Sequence, residues 1–314
     1  MRAVVTGAAG FIGSHLCEHL LAQGDEVIGI DNFTDFYDSA RKEDNLAPLL
    51  DREWFTFWRD DILALPLESV FAGADVVYHL AGQPGVRHSW GAEFGVYLER
   101  NVLVTQRVLE AVRRVPPCRM VYASSSSVYG DAEAYPTAET LPPRPVSPYG
   151  VTKLAAEYLC ETYRTAFGVS AASLRLFTVY GPRQRPDMAF SRLVEAACTD
   201  REFSLYGDGE QSRDFTYVGD VVTAMRQVAH SSWTGVANVG GGGRVTMNQV
   251  LAIVGELTGP VRVRHSPRQP GDARHTAADI TVARDGFGYR PRTHVREGLA
   301  AMVEAGREAW AVAR

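Results

Sequence analysis

The stretch "TGAAGFIG", residues 6–13, follows the apolar run "RAVV" and opens the amphipathic segment "FIGSHLCEHLLAQG". Gly7, Gly10 and Gly13 are spaced G-x-x-G-x-x-G. That spacing carries meaning only where a strand ends in a tight turn and feeds a helix, as it does here. The glycines permit the turn, let backbone approach a ligand closely and let the helix pack onto the strand. The helix N-terminus, at Phe11 and Ile12, then offers free N–H groups to an anion. The stretch predicts the first β-α unit of a parallel sheet, with a pyrophosphate-binding turn between the two elements.

The pattern repeats outward from that unit. "EVIGID", "FTFWRDD", "ADVVYHLAG" and "CRMVYASSS" read as further strands, "YLERNVLVTQRVLEAVRR" and "PYGVTKLAAEYLCETYRTAFG" as helices, and "VSAASLRLFTVYG" as a later strand. The runs are β-branched and nearly continuous, as in strands buried on both faces. The expected fold class is α/β, a doubly wound parallel sheet. After about residue 178 Pro, Gly and Arg become frequent, which predicts a smaller interleaved C-terminal substrate domain. The expected division is residues 1–177 plus about 212–241 for the dinucleotide-binding domain, and about 178–211 plus 242–314 for the substrate domain. The "GGGG" run at 240–243 reads as a strand-to-helix turn, with a second phosphate cradle as the alternative.

Asp31 closes the second expected strand, 18 residues after Gly13. A carboxylate there accepts from both hydroxyls of a dinucleotide's ribose and repels a 2′-phosphate, which favours NAD over NADP. Asn32 adjoins it. Asp61 and Ile62 follow the third strand, and Leu80, Ala81, Gly82 and Gln83 follow the fourth. At these strand ends the adenine and nicotinamide portions are expected to rest.

Bulk properties narrow the class. With 314 residues, 46% of them hydrophobic, the chain can bury a large core, and its net charge of -5 gives no basic footprint for nucleic acid. No stretch approaches the ~20 apolar residues of a membrane span. "MRAVVTGAAG" reads as a strand rather than a secretory signal, so the cytoplasm is the expected location, with no membrane partner. Cys17, Cys118, Cys160 and Cys198 lack a C-x-x-C arrangement and read as free thiols. His15, His79 and His88 lack ligand spacing, and no metal is expected.

"SPYGVTK" places Tyr149 and Lys153 at i and i+4, on one helix face. A phenol with a pKa near ~10 is a poor base at neutral pH. An ammonium one turn away and a positive nicotinamide ring both favour the phenolate. Such a pair removes a proton from an alcohol while hydride leaves.

"TGAAGFIG", "SSSSVYG" and "YGVTK" together resemble the extended short-chain dehydrogenase/reductase family, the NAD-dependent sugar-nucleotide epimerases and dehydratases. The resemblance runs through essentially the whole chain. It implies a Rossmann-type domain, tightly held NAD, a nucleotide-sugar substrate and a homodimer. By position in the motifs, Ser125 matches the hydroxyl that hydrogen-bonds the reacting sugar oxygen, Tyr149 the base, and Lys153 the residue that tunes it and holds the nicotinamide ribose. Family dehydratases resemble "TDEVYG" and decarboxylases "TSEVYG"; here Ser126 and Ser127 replace the carboxylates, which implies epimerisation at carbon 4.

"DNFTDFYDSARKEDNL", "AGQPGVRHS", "LRLFTVYGPRQRPDMAF", "RDFTYVGD" and "RQPGD" look most like the UDP-glucuronate 4-epimerases of that family. Arg183-Gln184 stand where the resemblance expects Trp-Gly, and Trp90-Gly91 follow "RHS". The resemblance assigns Arg213 and Arg192 to the diphosphate, Arg87 and Arg185 to the sugar side, Asp272 to the uridine ribose and Gln211 to the nucleotide; Met188 belongs to the "RPDM" motif. Oxidised glucuronate is a β-keto acid that tends to lose carbon dioxide. Ser126, Ser127 and Thr178 are the candidate donors that hold its carboxylate out of alignment. UDP-glucuronate decarboxylation, UDP-glucose 4-epimerisation and a non-catalytic NAD-binding module are the alternative readings.

Overall fold

The protein is described by a computed structural model covering residues 1–116, 118–267 and 274–311. Its first half alternates strands and helices: β1 (Arg2–Thr6), α1 (Phe11–Ala22), β2 (Glu26–Ile30), α2 (Ala40–Leu50), β3 (Phe55–Trp58), α3 (Leu67–Phe71) and β4 (Val76–His79). There follow α4 (Phe94–Tyr97), α5 (Val104–Arg114), β5 (Arg119–Ser125), α6 (Pro148–Phe167) and β6 (Ala171–Leu176). The expected single helix over 97–114 is instead interrupted by a π-helical turn, Leu98–Leu103, between α4 and α5. Such wide turns often mark functional sites.

The remaining elements are β7 (Val179–Tyr180), α7 (Ala189–Thr199), β8 (Phe203–Tyr206), β9 (Ser212–Asp214), β10 (Thr216–Tyr217), α8 (Val218–Ala229), β11 (Gly235–Val239), β12 (Arg244–Thr246), α9 (Met247–Thr258), β13 (Val263–Ser266), α10 (Thr281–Phe287) and α11 (Val295–Ala311). The glycine run at 240–243 therefore leads first into the short strand β12, which pairs antiparallel with β9. Gly241 N and Ala278 N donate to the buried Asp214 carboxylate at 2.5 and 3.0 Å, so the turn is fastened by an internal acid.

The main sheet has seven strands in the order β11-β6-β5-β4-β1-β2-β3, all parallel. This is the expected doubly wound, Rossmann-type sheet. Its order reverses between β1 and β4, and a crevice forms there at the carboxyl ends. Ala3, Val4 and Val5 are fully buried, with alternate residues feeding the apolar layers on opposite faces. A separate apolar core gathers Tyr180, Phe190, Phe215, Val250 and Leu299 from β7, α7, the β9–β10 link, α9 and α11.

Two local features position the site. Gly7 has φ +73°, and a Cβ built on it would stand 2.9 Å from Ala81 N. A Cβ on Gly13 would stand 2.0 Å from Gly7 O. The second feature is the start of α6. Ser147 Oγ accepts from Gly150 N at 3.1 Å and Pro148 occupies the first turn, two strong initiation signals. Gly168, at φ 71°, ends the helix.

Gly13→Ala is expected to destabilise the fold by about 1–3 kcal/mol, the usual cost of overpacking. It should also weaken dinucleotide binding at the turn, whereas Gly24→Ala, whose Cβ meets nothing, should leave binding intact. Thermal melts with and without NAD measure both.

Candidate active site

The carboxyl ends of β1, β4, β5 and β6 open into one cavity of about 830 Å³. At one end stands the N-terminus of α1. Gly10 is extended (φ -74°, ψ 175°), no side chain caps the helix, and no acid occupies its first turn. The N–H groups at Phe11 and Ile12 thus face the cavity as an anion site. Asp31 accepts from Phe33 N at 2.8 Å and Ala9 N at 3.2 Å, and lies 3.5 Å from the buried Lys42 ammonium. Asn32 donates to Asp61 at 2.7 Å, with Ile62 beside it. Leu80, Ala81, Gly82 and Gln83 form the adjoining wall. A glycine cradle that a Cβ would fill, an uncapped helix end and a carboxylate suited to a ribose diol together fit a dinucleotide.

The middle of the cavity is lined by Ser125, Ser126, Ser127, Tyr149, Lys153 and Thr178. Ser125 caps the turn after β5, its Oγ accepting from Ser127 N at 3.1 Å. Burial raises the Tyr149 phenol above its ordinary pKa; the Ser125 hydrogen bond and the Arg185 charge pull the other way. Lys153 lies over the Tyr122 ring, with Nζ 4.5 Å from its centroid, and its own pKa is lowered to about 8 by burial.

The far end carries the arginines. Arg185 forms a two-pronged pair with Asp187, at 3.0 and 2.9 Å. Arg87 and Arg192 stack on Tyr206 at 4.8 and 5.6 Å. Arg213 donates to the carbonyls of Ser212 and Arg274. Gln211 donates to Tyr206 O at 2.8 Å, and Met188 precedes α7. All these residues border the same cavity. Asp272 lies outside the described residues. Arg183 and Gln184, where the sequence departs from the expected Trp-Gly, turn away from the cavity. Arg183 pairs with Glu18 at 2.6 Å, and buried Gln184 donates to Val179 O. Among the described residues no cluster of three or more His, Cys, Asp or Glu could hold a metal ion, and no helix is long and apolar enough to cross a membrane.

Residues 3–240 match the NAD dependent epimerase/dehydratase family. The chain belongs to that family. A Bacillus subtilis relative, the uncharacterized UDP-glucose epimerase YtcB, is 44% identical over 95% of this chain and 96% of its own. The UDP-glucuronic acid 4-epimerase from Bacillus cereus, solved with UDP-glucuronic acid and NAD, superposes with a TM-score of 0.94 at 39% identity, covering 98% of this chain and all of that one. MoeE5, solved with UDP-glucose and NAD, gives a TM-score of 0.89 at 42% identity over 99% of this chain and all of its own. NAD is the cofactor of this epimerase/dehydratase.

Two lining residues escaped the sequence reading. Lys42, on α2, looked like a solvated lysine in a charged helix, and nothing in the sequence marked it for burial beside Asp31. Asn101 sits in the π-helical turn. It accepts from Gln83 N at 2.7 Å and donates to Gln83 O and Thr152 Oγ1 at 3.1 and 3.0 Å. Thr152 in turn donates to Tyr149 O at 2.8 Å. Asn101 thereby fastens the β4 loop to the helix that carries Tyr149, and only the unseen π-turn brings it there.

The buried lysine gives a pH signature. Lys153 has a folded pKa of about 8 against an ordinary value of 10.5. Between these values the unfolded chain holds more protons, so this group's contribution to stability rises with pH across that window and is absent below it. In protein stripped of dinucleotide, the unfolding free energy of wild type relative to Lys153→Met should climb between pH 8 and 10.5. A pH-independent difference in urea melts would refute the assignment.

Proposed function

We propose that the protein is an NAD-dependent 4-epimerase of UDP-sugars, interconverting UDP-glucuronate and UDP-galacturonate. The observation that carries this reading is the wall formed by Ser125, Ser126 and Ser127 beside Tyr149: a run of hydroxyls where an eliminating enzyme needs acids. NAD, when bound, would supply reversible hydride exchange with carbon 4.

The chain's own residues do the rest. Tyr149, as phenolate, takes the proton of the carbon-4 hydroxyl while Ser125 hydrogen-bonds the same oxygen. The 4-keto sugar then offers its other face, and Tyr149 gives the proton back to the new alkoxide. Lys153 holds the nicotinamide ribose. Gly7, Gly10, Gly13 and the N-terminus of α1 receive the pyrophosphate, and Asp31 with Lys42 takes the adenosine ribose. Arg213 and Arg192 take the substrate diphosphate, while Arg87 and Arg185 border the sugar. We read residues 178–211 and 242–314, which supply Tyr180, Phe190, Val250 and Leu299 to the separate apolar core, as the half that holds the UDP-sugar.

The sugar's carboxylate is a hazard once carbon 4 is oxidised, because the β-keto acid loses carbon dioxide when its carboxyl bond aligns with the ketone. Donors from Ser126, Ser127 and Thr178 keep it out of that alignment, and Arg185, already set against Tyr149, draws it aside. The B. cereus complex with UDP-glucuronic acid supports the uronate. MoeE5 with UDP-glucose and the B. subtilis relative favour a second reading, in which a neutral UDP-hexose is the substrate.

Purified protein given UDP-glucuronate should yield UDP-galacturonate, and Tyr149→Phe should lower kcat by about 10²–10⁴-fold, the span of general acid–base catalysis. Thr178→Ala and Ser126→Ala should release more UDP-pentose than wild type. Turnover of UDP-glucose alone would transfer the reading to the neutral sugar.

The same family reading makes the protein a homodimer. Leu98, Leu103, Val151 and Tyr158 are 44–57% exposed on the neighbouring π-turn and α6, an apolar patch of the kind that protein contacts cover. Sedimentation should report a dimer, and Tyr158→Glu should shift it to monomer while leaving NAD binding in place.

A further inference from the structure

Behind the catalytic wall lies a charged pair that the proposed chemistry does not use. Glu157 and Arg175 are 2% and 4% exposed. The Glu157 carboxylate accepts from Arg175 Nε at 3.0 Å, from Arg175 Nη2 at 2.5 Å and from Ser124 Oγ at 2.8 Å. Arg175 Nη1 donates to Tyr129 Oη at 2.7 Å, which donates on to Asn238 Oδ1 at 2.8 Å. Arg175 is in register with Ser124 on β5 and with Asn238 on β11. The result is a polar row across β5, β6 and the edge strand β11, closed by an acid on α6.

A buried ion pair is poor evidence for stability alone, because desolvation offsets most of the attraction and apolar replacements often do as well. Position gives this pair its meaning. Glu157 follows Lys153 by one helical turn, and its third donor, Ser124, adjoins Ser125. We propose that the Glu157–Arg175 pair is a positioning device for the catalytic centre, fixing the end of β5 that carries Ser125 and keeping a carboxylate beneath the Lys153 ammonium. The proposal rests on the roles given above to Tyr149, Ser125 and Lys153.

The groups around Lys153 support it. From α6 come Glu157 and Cys160; from β5 comes the Tyr122 ring; from β4 comes His79, held neutral by burial with a pKa of about 3. Burial pushes the Lys153 pKa down, and Cys160 and Glu157 oppose it. The Cys160 thiol is itself raised to about 12 by burial and stays uncharged near neutrality. Glu157 is therefore the acid that keeps the ammonium protonated, while Arg175 holds that acid in place from the strand side.

The experiment compares the pH dependence of kcat in wild type, Ser124→Ala, Glu157→Asp and the charge-free double variant Glu157→Gln/Arg175→Gln, each checked for folding by circular dichroism and for NAD binding. The double variant should move the alkaline limb of kcat to lower pH by roughly one unit. Near pH 8 its kcat should fall about fivefold with KM within twofold of wild type. Ser124→Ala should lower kcat without moving the limb, and Glu157→Asp should restore most of the profile. A folded double variant with the wild-type profile would overturn the proposal. If the double variant does not fold, unchanged kcat in both Ser124→Ala and Glu157→Asp would overturn it instead. Tyr149→Phe is run alongside: activity surviving there would defeat the catalytic reading itself, whatever the pair variants do.

Discussion

Helix α1 reaches the end of β1 only because two residues there lack a Cβ. An added Cβ on Gly13 would meet Gly7 O at 2.0 Å, and one on Gly7 would meet Ala81 N at 2.9 Å. The first contact sets the turn and aims the helix N-terminus into the crevice. The second brings the β1 turn against the β4 loop, so the two strands flanking the switch point share a wall. The contact then passes on. Gly82 leaves room for Asn101 Oδ1, which a Cβ would meet at 2.7 Å. Asn101 holds Gln83 and Thr152, and Thr152 holds the Tyr149 carbonyl. A steric allowance at the phosphate turn is thereby linked, through backbone contacts and two side chains, to the placing of the phenol.

Much of this was legible because it rests on local rules. The glycine spacing, the β-branched runs and the Ser-Pro start of α6 each name a conformation from a few neighbouring residues, and they predicted the sheet and the helix carrying Tyr149 and Lys153. What escaped depends on tertiary placement. The π-turn has no composition of its own, so Asn101 looked like one more residue of a long helix. Lys42 occupies a charged helix, and only the fold brings it beside Asp31. The glycine run at 240–243 suggested a turn, but not that a buried acid on β9 fastens it. Spacing at i and i+4 shows that two side chains share a face, not where each charge points: Lys153 lies over the Tyr122 ring, and the charge that bears on the phenol is that of Arg185.

Burial at the site works against charge, and the polar groups are arranged to answer it. Tyr149 is raised, Lys153 lowered and His79 held neutral, each chiefly by desolvation. The same low-dielectric surroundings strengthen whatever charged partners are present. Arg185 therefore bears on the phenol across the cavity and Glu157 on the lysine from below. Asp214 shows the cost of the arrangement: burial raises it to about 6 even though backbone N–H groups donate to it. In the folded protein it takes up a proton before it would in the unfolded chain, so this acid favours folding less as pH rises from its ordinary value of 3.8 through about 6. Its carboxylate form is retained as the anchor of the Gly241 turn and of the segment at Ala278.

The hydroxyl wall bears on how handedness is exchanged. An enzyme that inverts a centre with two opposed bases needs an acid-base group on each side of the carbon. On the proposed function, proton transfer falls to Tyr149, with Ser125 hydrogen-bonded to it, and the adjoining Ser126 and Ser127 offer only hydroxyls. Asp187 borders the cavity too, but Arg185 holds both of its oxygens. One proton site and one hydride site can invert a centre only if the sugar itself turns between the two transfers. Small side chains at Ser125, Ser126, Ser127 and Thr178 suit that motion, since they donate hydrogen bonds in more than one orientation without filling the space the ring must sweep. On the proposed function, the arginines at the far end would serve as a fixed anchor, holding the diphosphate while the ring moves.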